Sequence, residues 1–179
     1  RRGPLQARAA DVLYELGDKT ALPILLENRM KDGGVTFLST VRLVVGNIHL
    51  LLEDDRSALL EYRSILSFDA DFDKAWANVG RLYYLRDRDA DAIKALDEAL
   101  KRNPFLITAL VYRGLAKART GALKEGLKDI DDAIARDGAN RAAHLARAEV
   151  LVRRGELEAA QRVLEDARQR WKNEADVYE

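Results

Sequence analysis

The stretch "WANVGRLYYLRDRDADAIKALDEALKRNP" (Trp76–Pro104) carries two helical apolar stripes on either side of a polar turn, "RDRDAD" at 86–91. Its small residues need explaining: Gly80, Ala92 and Ala99 stand among large apolar and charged neighbours. A glycine inside a helix costs about 1 kcal/mol relative to alanine, so Gly80 needs a compensating reason. Stepping along the chain by 34 residues supplies one. The column of Gly80 reads Gly46, Gly80, Gly114, Ala148, and that of Ala92 reads Ala58, Ala92, Gly126, Ala160. The column of Ala99 reads Ile65, Ala99, Ala133, Ala167, and the apolar column at Leu96 reads Tyr62, Leu96, Ile130, Leu164. Four columns that keep step over four units mark an internal repeat. Each unit reads as a helix of about a dozen residues, a short turn and a second antiparallel helix. A single hairpin of this kind cannot bury its own stripe, so neighbouring units stack. Small residues let the stacked helices approach.

The spacing resembles the tetratricopeptide repeat (TPR). Residues 73–106 match its motif with Trp76, Val79, Gly80, Tyr83, Ala92, Leu96, Ala99 and Pro104. Residues 107–140 match with Leu110, Gly114, Gly121, Ile130 and Ala133, departing at Gly126, where Ala is usual, and Gly138, where Pro is usual. Residues 141–174 keep Ala148, Gly155, Ala160, Leu164 and Ala167, with His144 and Lys172 in the large-apolar and Pro columns. Residues 39–72 match less well, with Arg42 in the Trp column and Glu53 where a turn glycine is common. Gly121 and Gly155 suit helix ends that need a left-handed backbone. Pro104 sits where a helix stop is natural.

The pattern shifts before residue 39. "ARAADVLYELGDKTALPILLENRMKDG" (Ala7–Gly33) reads as another hairpin, with Ala9, Ala10, Leu13 and Leu16 on one face and Gly17-Asp18 at the turn. It resembles a bacterial HEAT-like repeat, with a divergent TPR as the competing reading. The expectation is an all-α, right-handed solenoid of about five antiparallel helix pairs, a TPR-like superhelix. A hairpin lies at 5–32 within a first segment, 1–38, and the array 39–179 continues from it and opens a further unit at "ADVY" (175–178), where Tyr178 falls in the Trp column.

Composition agrees. Apolar residues are 47% of the 179 and charged residues 34%, dominated by helix formers. Thirty basic side chains balance thirty acidic ones, which leaves no general electrostatic argument for nucleic acid or an anionic membrane. There is no cysteine, so disulfides, thiolate metal sites and cysteine nucleophiles are excluded; this does not choose between cytoplasm and periplasm. The longest apolar cluster, "LVVGNIHLLL" (Leu43–Leu52), is interrupted by Asn47 and His49 and is too short to span a bilayer.

Nothing in the sequence has the spacing of a catalytic, metal or phosphate-binding motif, and no cofactor is expected. His49 and His144 stand more than two repeats apart and read as packing residues. The acidic run "KDIDDAIARD" (Lys128–Asp137) reads as the solvated face of a helix. Arg113 and Arg147 occupy a column that is usually apolar, which calls for a snorkelling stem or a carboxylate such as Asp129 or Glu149.

The TPR resemblance implies that the first helix of each unit lines a concave groove through six columns. These read Thr40, Leu43, Val44, Asn47, Leu50, Leu51, then Lys74, Ala77, Asn78, Arg81, Tyr84, Leu85. They continue Thr108, Val111, Tyr112, Leu115, Ala118, Arg119, then Ala142, Leu145, Ala146, Glu149, Val152, Arg153. The resemblance thus implies a peptide site at Asn47, Lys74, Asn78, Arg81, Tyr84, Tyr112, Arg119, Glu149 and Arg153. Asn offers a donor and an acceptor to a peptide backbone, and Arg can grip a carboxylate through two bonds. The clamp by which TPR domains hold acidic chaperone tails is not expected: only Asn47 and Asn78 of its five positions are kept, against Leu43, Thr108 and Tyr112.

The function expected is a non-catalytic scaffold that binds a protein or peptide partner. The alternative is a self-assembly module of a larger, bacterial multi-repeat protein that stacks through uncapped ends.

Overall fold

A computed structural model describes residues 35–175 of the chain, with side chains from 38 to 171. The hairpin expected at 5–32 lies outside these residues, as does Tyr178. The chain divides into two compact units, Arg1–Phe72 and Asp73–Glu179. In the first, helices α1 (Val35–Leu51) and α2 (Asp55–Phe68) form one antiparallel pair. In the second, three pairs follow: α3 (Asp73–Leu85) with α4 (Asp89–Arg102), α5 (Ile107–Arg119) with α6 (Leu123–Arg136), and α7 (Arg141–Arg153) with α8 (Leu157–Ala175). All regular structure among the described residues is helical.

The expected glycine column is the seam of each pair. A Cβ at Gly46 would meet the Tyr62 ring, with Cδ1 at 2.9 Å, and one at Gly80 would fall on the Leu96 side chain, with Cδ2 at 2.8 Å and Ala92 O at 3.1 Å. Tyr62 and Leu96 are fully buried. Gly114 and Gly126 face each other backbone to backbone, so that a Cβ on Gly114 would lie 2.6 Å from Gly126 O. Gly126, a departure from the repeat motif, is thereby explained: α5 and α6 approach closer than an alanine permits.

The turns share one device. Glu53, Asp87, Gly121 and Gly155 recur every 34 residues, and all have positive φ: 59°, 56°, 95° and 80°. A left-handed backbone costs a non-glycine residue roughly 1–2 kcal/mol, while glycine gives back roughly 0.5–1 kcal/mol through its freer unfolded chain. Glu53→Gly is therefore expected to stabilise the first unit by about 0.5–1 kcal/mol, read as a raised midpoint in thermal or urea melting. A lowered midpoint would contradict the strain assigned to Glu53.

Three of the four hairpins are also closed at their open ends. Ser39 Oγ donates to Asp69 Oδ2 at 3.0 Å, and Asn103 Nδ2 donates to Asp73 Oδ2 at 2.6 Å. In the last pair the same register places the Arg141 guanidinium 5.3 Å from the Trp171 ring centre. Helix α8 runs for 19 residues where α2, α4 and α6 each have 14. Where Pro104 and Gly138 stand after α4 and α6, this pair has Lys172, which permits the helix to continue. The further unit expected at 175–178 lies, apart from Ala175 in α8, outside the described residues.

Within the second unit, α3 packs on α5 and α5 on α7, whereas α4, α6 and α8 touch only the helices adjacent to them in sequence. First helices that lie closer together than second helices curve the unit, with α3, α5 and α7 on the inner side.

Within the second unit, the two unusual arginines bind successive helix pairs together. Arg113 holds Asp129 through two bonds of 2.7 Å, and its third contact, also 2.7 Å, goes to Asp97 on α4. Arg147 repeats the backward contact 34 residues on, with Nε 2.8 Å from Asp131 Oδ1. Lys117 Nζ adds a third cationic bond to Asp129, at 2.8 Å. The expectation that the acidic run 128–137 is a solvated face fails at Asp129, which is buried. Two cations on α5 draw it into the α5–α6 seam.

Candidate functional site

The inner helices of the second unit bring six of the nine expected groove residues together. Tyr84 on α3 meets Tyr112 on α5 edge to face, with ring centres 5.5 Å apart. The Arg81 guanidinium lies 5.9 Å from the Tyr112 ring centre, and that of Arg119 lies 3.8 Å from the Tyr84 ring centre. Burial pushes the Tyr84 hydroxyl above its ordinary range; Glu149 on α7 adds to this, while Arg119 and Arg153 oppose it. That balance reflects the convergence of charges from α5 and α7 on one phenol of α3.

The cations differ in what holds them. Arg119 is bound internally: its guanidinium reaches Asp87 Oδ1 at 2.6 Å, Asp89 Oδ1 at 3.0 Å and Tyr84 O at 2.5 Å. Arg153 pairs with Glu149 one helical turn away, at 3.0 Å and 3.2 Å. Arg81 has no carboxylate among its contacts described here; it rests on Tyr112, and its Nε is buried without a hydrogen-bond partner. Asp87 and Asp89 were not singled out in the sequence. Their signal was available only as turn acids some thirty residues before Arg119.

The remaining expected residues stand apart from this cluster. Lys74 is exposed in the first turn of α3, and Asn78, at 8% exposure, is buried in the middle of that helix. Asn47 belongs to the first unit, where it accepts the Tyr62 hydroxyl at 2.8 Å. Several apolar members of the expected lining do not face solvent: Leu50, Ala77, Val111, Leu115, Ala118 and Ala146 are buried. Side-by-side packing of the inner helices takes the five of these that lie on α3, α5 and α7 into the core. Leu85, Leu145 and Val152 of the expected lining remain exposed.

The histidines make local contacts. His49 Nδ1 is 3.5 Å from Asp54 Oδ2, and His144 lies edge-on to Trp171 with Nε2 3.0 Å from Gly138 O. Among the described residues, no group of three or more acidic or histidine side chains is placed to hold a metal ion. No described helix is long and apolar enough to cross a membrane.

No protein-family model matches the sequence, and no curated protein does. Solved structures are similar in fold. The crystal structure of MamA protein superposes with a TM-score of 0.69 at 17% identity, over 96% of this chain and 93% of that one. A tetratricopeptide repeat protein from Parabacteroides merdae gives 0.68 at 20% identity, over 94% of this chain and 68% of that one. The second TPR domain of human RPAP3, solved in complex with the HSP70 peptide SGPTIEEVD, gives 0.59 at 19% identity, over 65% of this chain and 98% of that domain. The 34-residue register, the helix pairs with their glycine seams and these likenesses agree: the chain has the tetratricopeptide-repeat fold.

Proposed function

We propose that this chain is a non-catalytic binding scaffold whose inner surface, on α3, α5 and α7, holds a protein or peptide partner. The observation that carries the reading is Arg81. Its charge rests on an aromatic ring with no carboxylate among its described contacts, which leaves donors of the guanidinium for a ligand carboxylate. Around it stand Tyr112 and Tyr84, rigid amphipathic surfaces of the kind that anchor partners at small entropic cost. Lys74 adds a second cation on the same helix, and Asn78 lies between the two. Arg119 and Arg153, already bound to carboxylates, act here as supports for the tyrosines. A peptide-bound neighbour of the same fold is consistent with such a role.

The test is panning of a displayed random-peptide library against the chain. Peptides that carry a carboxylate beside apolar residues are expected to be enriched, with affinity lost about tenfold or more in Arg81→Ala, as for a charge-assisted hydrogen bond of about 1.5–3 kcal/mol. Enrichment that is indifferent to Arg81→Ala and Tyr112→Ala, in variants that melt like the parent, would remove the groove from the function.

A further inference from the structure

The outer face of the last helix pair is open where its counterparts are covered. Leu145 and Leu164 are 50% and 43% exposed, whereas Val111 and Ile130, their equivalents 34 residues earlier, are 4% and 0% exposed. With Arg141, Ala167, Arg168 and Trp171 they line an open cleft of 360 Å³ between α7 and α8. In the repeat register this is the place of a helix: the corresponding faces of the preceding pairs lie beneath α5 and α7.

The surface of α8 indicates which helix. Leu157, Leu164 and Trp171 are spaced by seven residues, so they fall nearly in line, drifting about 20° per heptad. Leu157 is 63% exposed. The stripe is centred on Leu164, and two such stripes laid antiparallel set Leu164 on its own copy and Leu157 on Trp171 of the second copy. The charges follow the same symmetry. Glu158 and Glu165 lie on one flank of the stripe, and Arg168 follows on that flank toward the C-terminal end. Antiparallel pairing about Leu164 sets this flank on its own counterpart, so that Arg168 of each copy comes to Glu158 of the other, while Glu165, near the centre, keeps Arg168 of its own helix 3.6 Å away. A heptad-spaced apolar stripe flanked by complementary charges is the pattern by which helices pair and set their orientation.

We propose that the chain forms a two-fold dimer, tail to tail, through antiparallel packing of α8 on α8 of a second copy, with Leu145 and Trp171 beside the seam. The patch is self-complementary, as an isologous interface requires. Its α8 residues lie outside the inner groove, and neither Arg81 nor Tyr112 takes part in it, so the two readings can fail independently.

Light scattering over a range of concentrations is expected to give a dimer that Leu157→Glu and Leu164→Glu convert to monomer while the melting transition of each variant keeps its shape. Leu157 is the more exposed site and guards against a folding defect in the second variant. Because the chain has no cysteine, orientation is directly testable by oxidation. Leu164→Cys is expected to cross-link to itself, Leu157→Cys to remain single, and a mixture of Leu157→Cys with Trp171→Cys to cross-link. Arg81→Ala should leave the dimer intact. A monomer at all concentrations, a dimer indifferent to Leu157→Glu, or self-cross-linking of Leu157→Cys would each overturn the proposal.

Discussion

Gly80→Leu is expected to lower the stability of the second unit by about 3 kcal/mol, at the upper end of the range for overpacked cores. The first carbon of the new side chain would fall on Leu96, which is fully buried, with the Ala92 carbonyl 3.1 Å away. Leu96 cannot withdraw without displacing the seam between α3 and α4. The measurement is chemical or thermal unfolding, and a midpoint equal to that of the parent would contradict the seam. The companion exchange, Gly126→Ala, discriminates by sign. In an ordinary helix interior it would stabilise by about 1 kcal/mol. Here the added carbon would meet Gly114 O and Ala118 N, the latter at 3.1 Å, both backbone atoms that cannot rotate away. A net loss of stability is therefore expected.

The second large effect is expected from Asp129→Ala. Its carboxylate is 7% exposed and takes two bonds from Arg113 and one from Lys117. Removing one partner of a buried ion pair costs about 3–5 kcal/mol. The cations here are 20% and 24% exposed, and Arg113 keeps Asp97, so about 2–3 kcal/mol is expected after allowance for their residual hydration. Arg113→Met tests the origin of that cost. It removes the cation while keeping an apolar stem, but leaves Asp129 with Lys117 alone. If Asp129→Ala melts like the parent, the triad contributes nothing to holding α5 on α6.

How much of this was legible beforehand differs between elements. Gly46, Gly80 and Gly114 fall in one column because the chain repeats, and a column of small residues has one physical reading, close approach of helices. Gly121 and Gly155 were recognisable as turn residues from the same register, and Glu53 and Asp87 occupy the equivalent positions with the same positive φ. Asp129 was named as a carboxylate for an unusual arginine, and Arg113 does hold it, yet it was also grouped with a solvated run because amphipathic periodicity places a carboxylate by its angle around its own helix. It does not register two cations waiting on the neighbouring one. Some apolar lining positions are covered for a related reason: columns that a single helix directs inward include Val111 and Leu115, which the adjacent inner helices bury. Helix α8 is longer than α4 and α6, and Lys172 stands where Pro104 and Gly138 follow those helices.

The sequence by itself determined the repeat length, the helix pairing, the seams and the turns, since each depends on residues that recur at fixed separation along one chain. Only the tertiary structure decided which charges are spent internally. Arg119 is bound to Asp87 and Asp89, and Arg113 to Asp97 and Asp129, whereas Arg81 rests on Tyr112. Ion pairing depends on distances between atoms of different helices, and a few ångströms, invisible to periodicity, separate an arginine held by two carboxylates from one that rests on an aromatic ring.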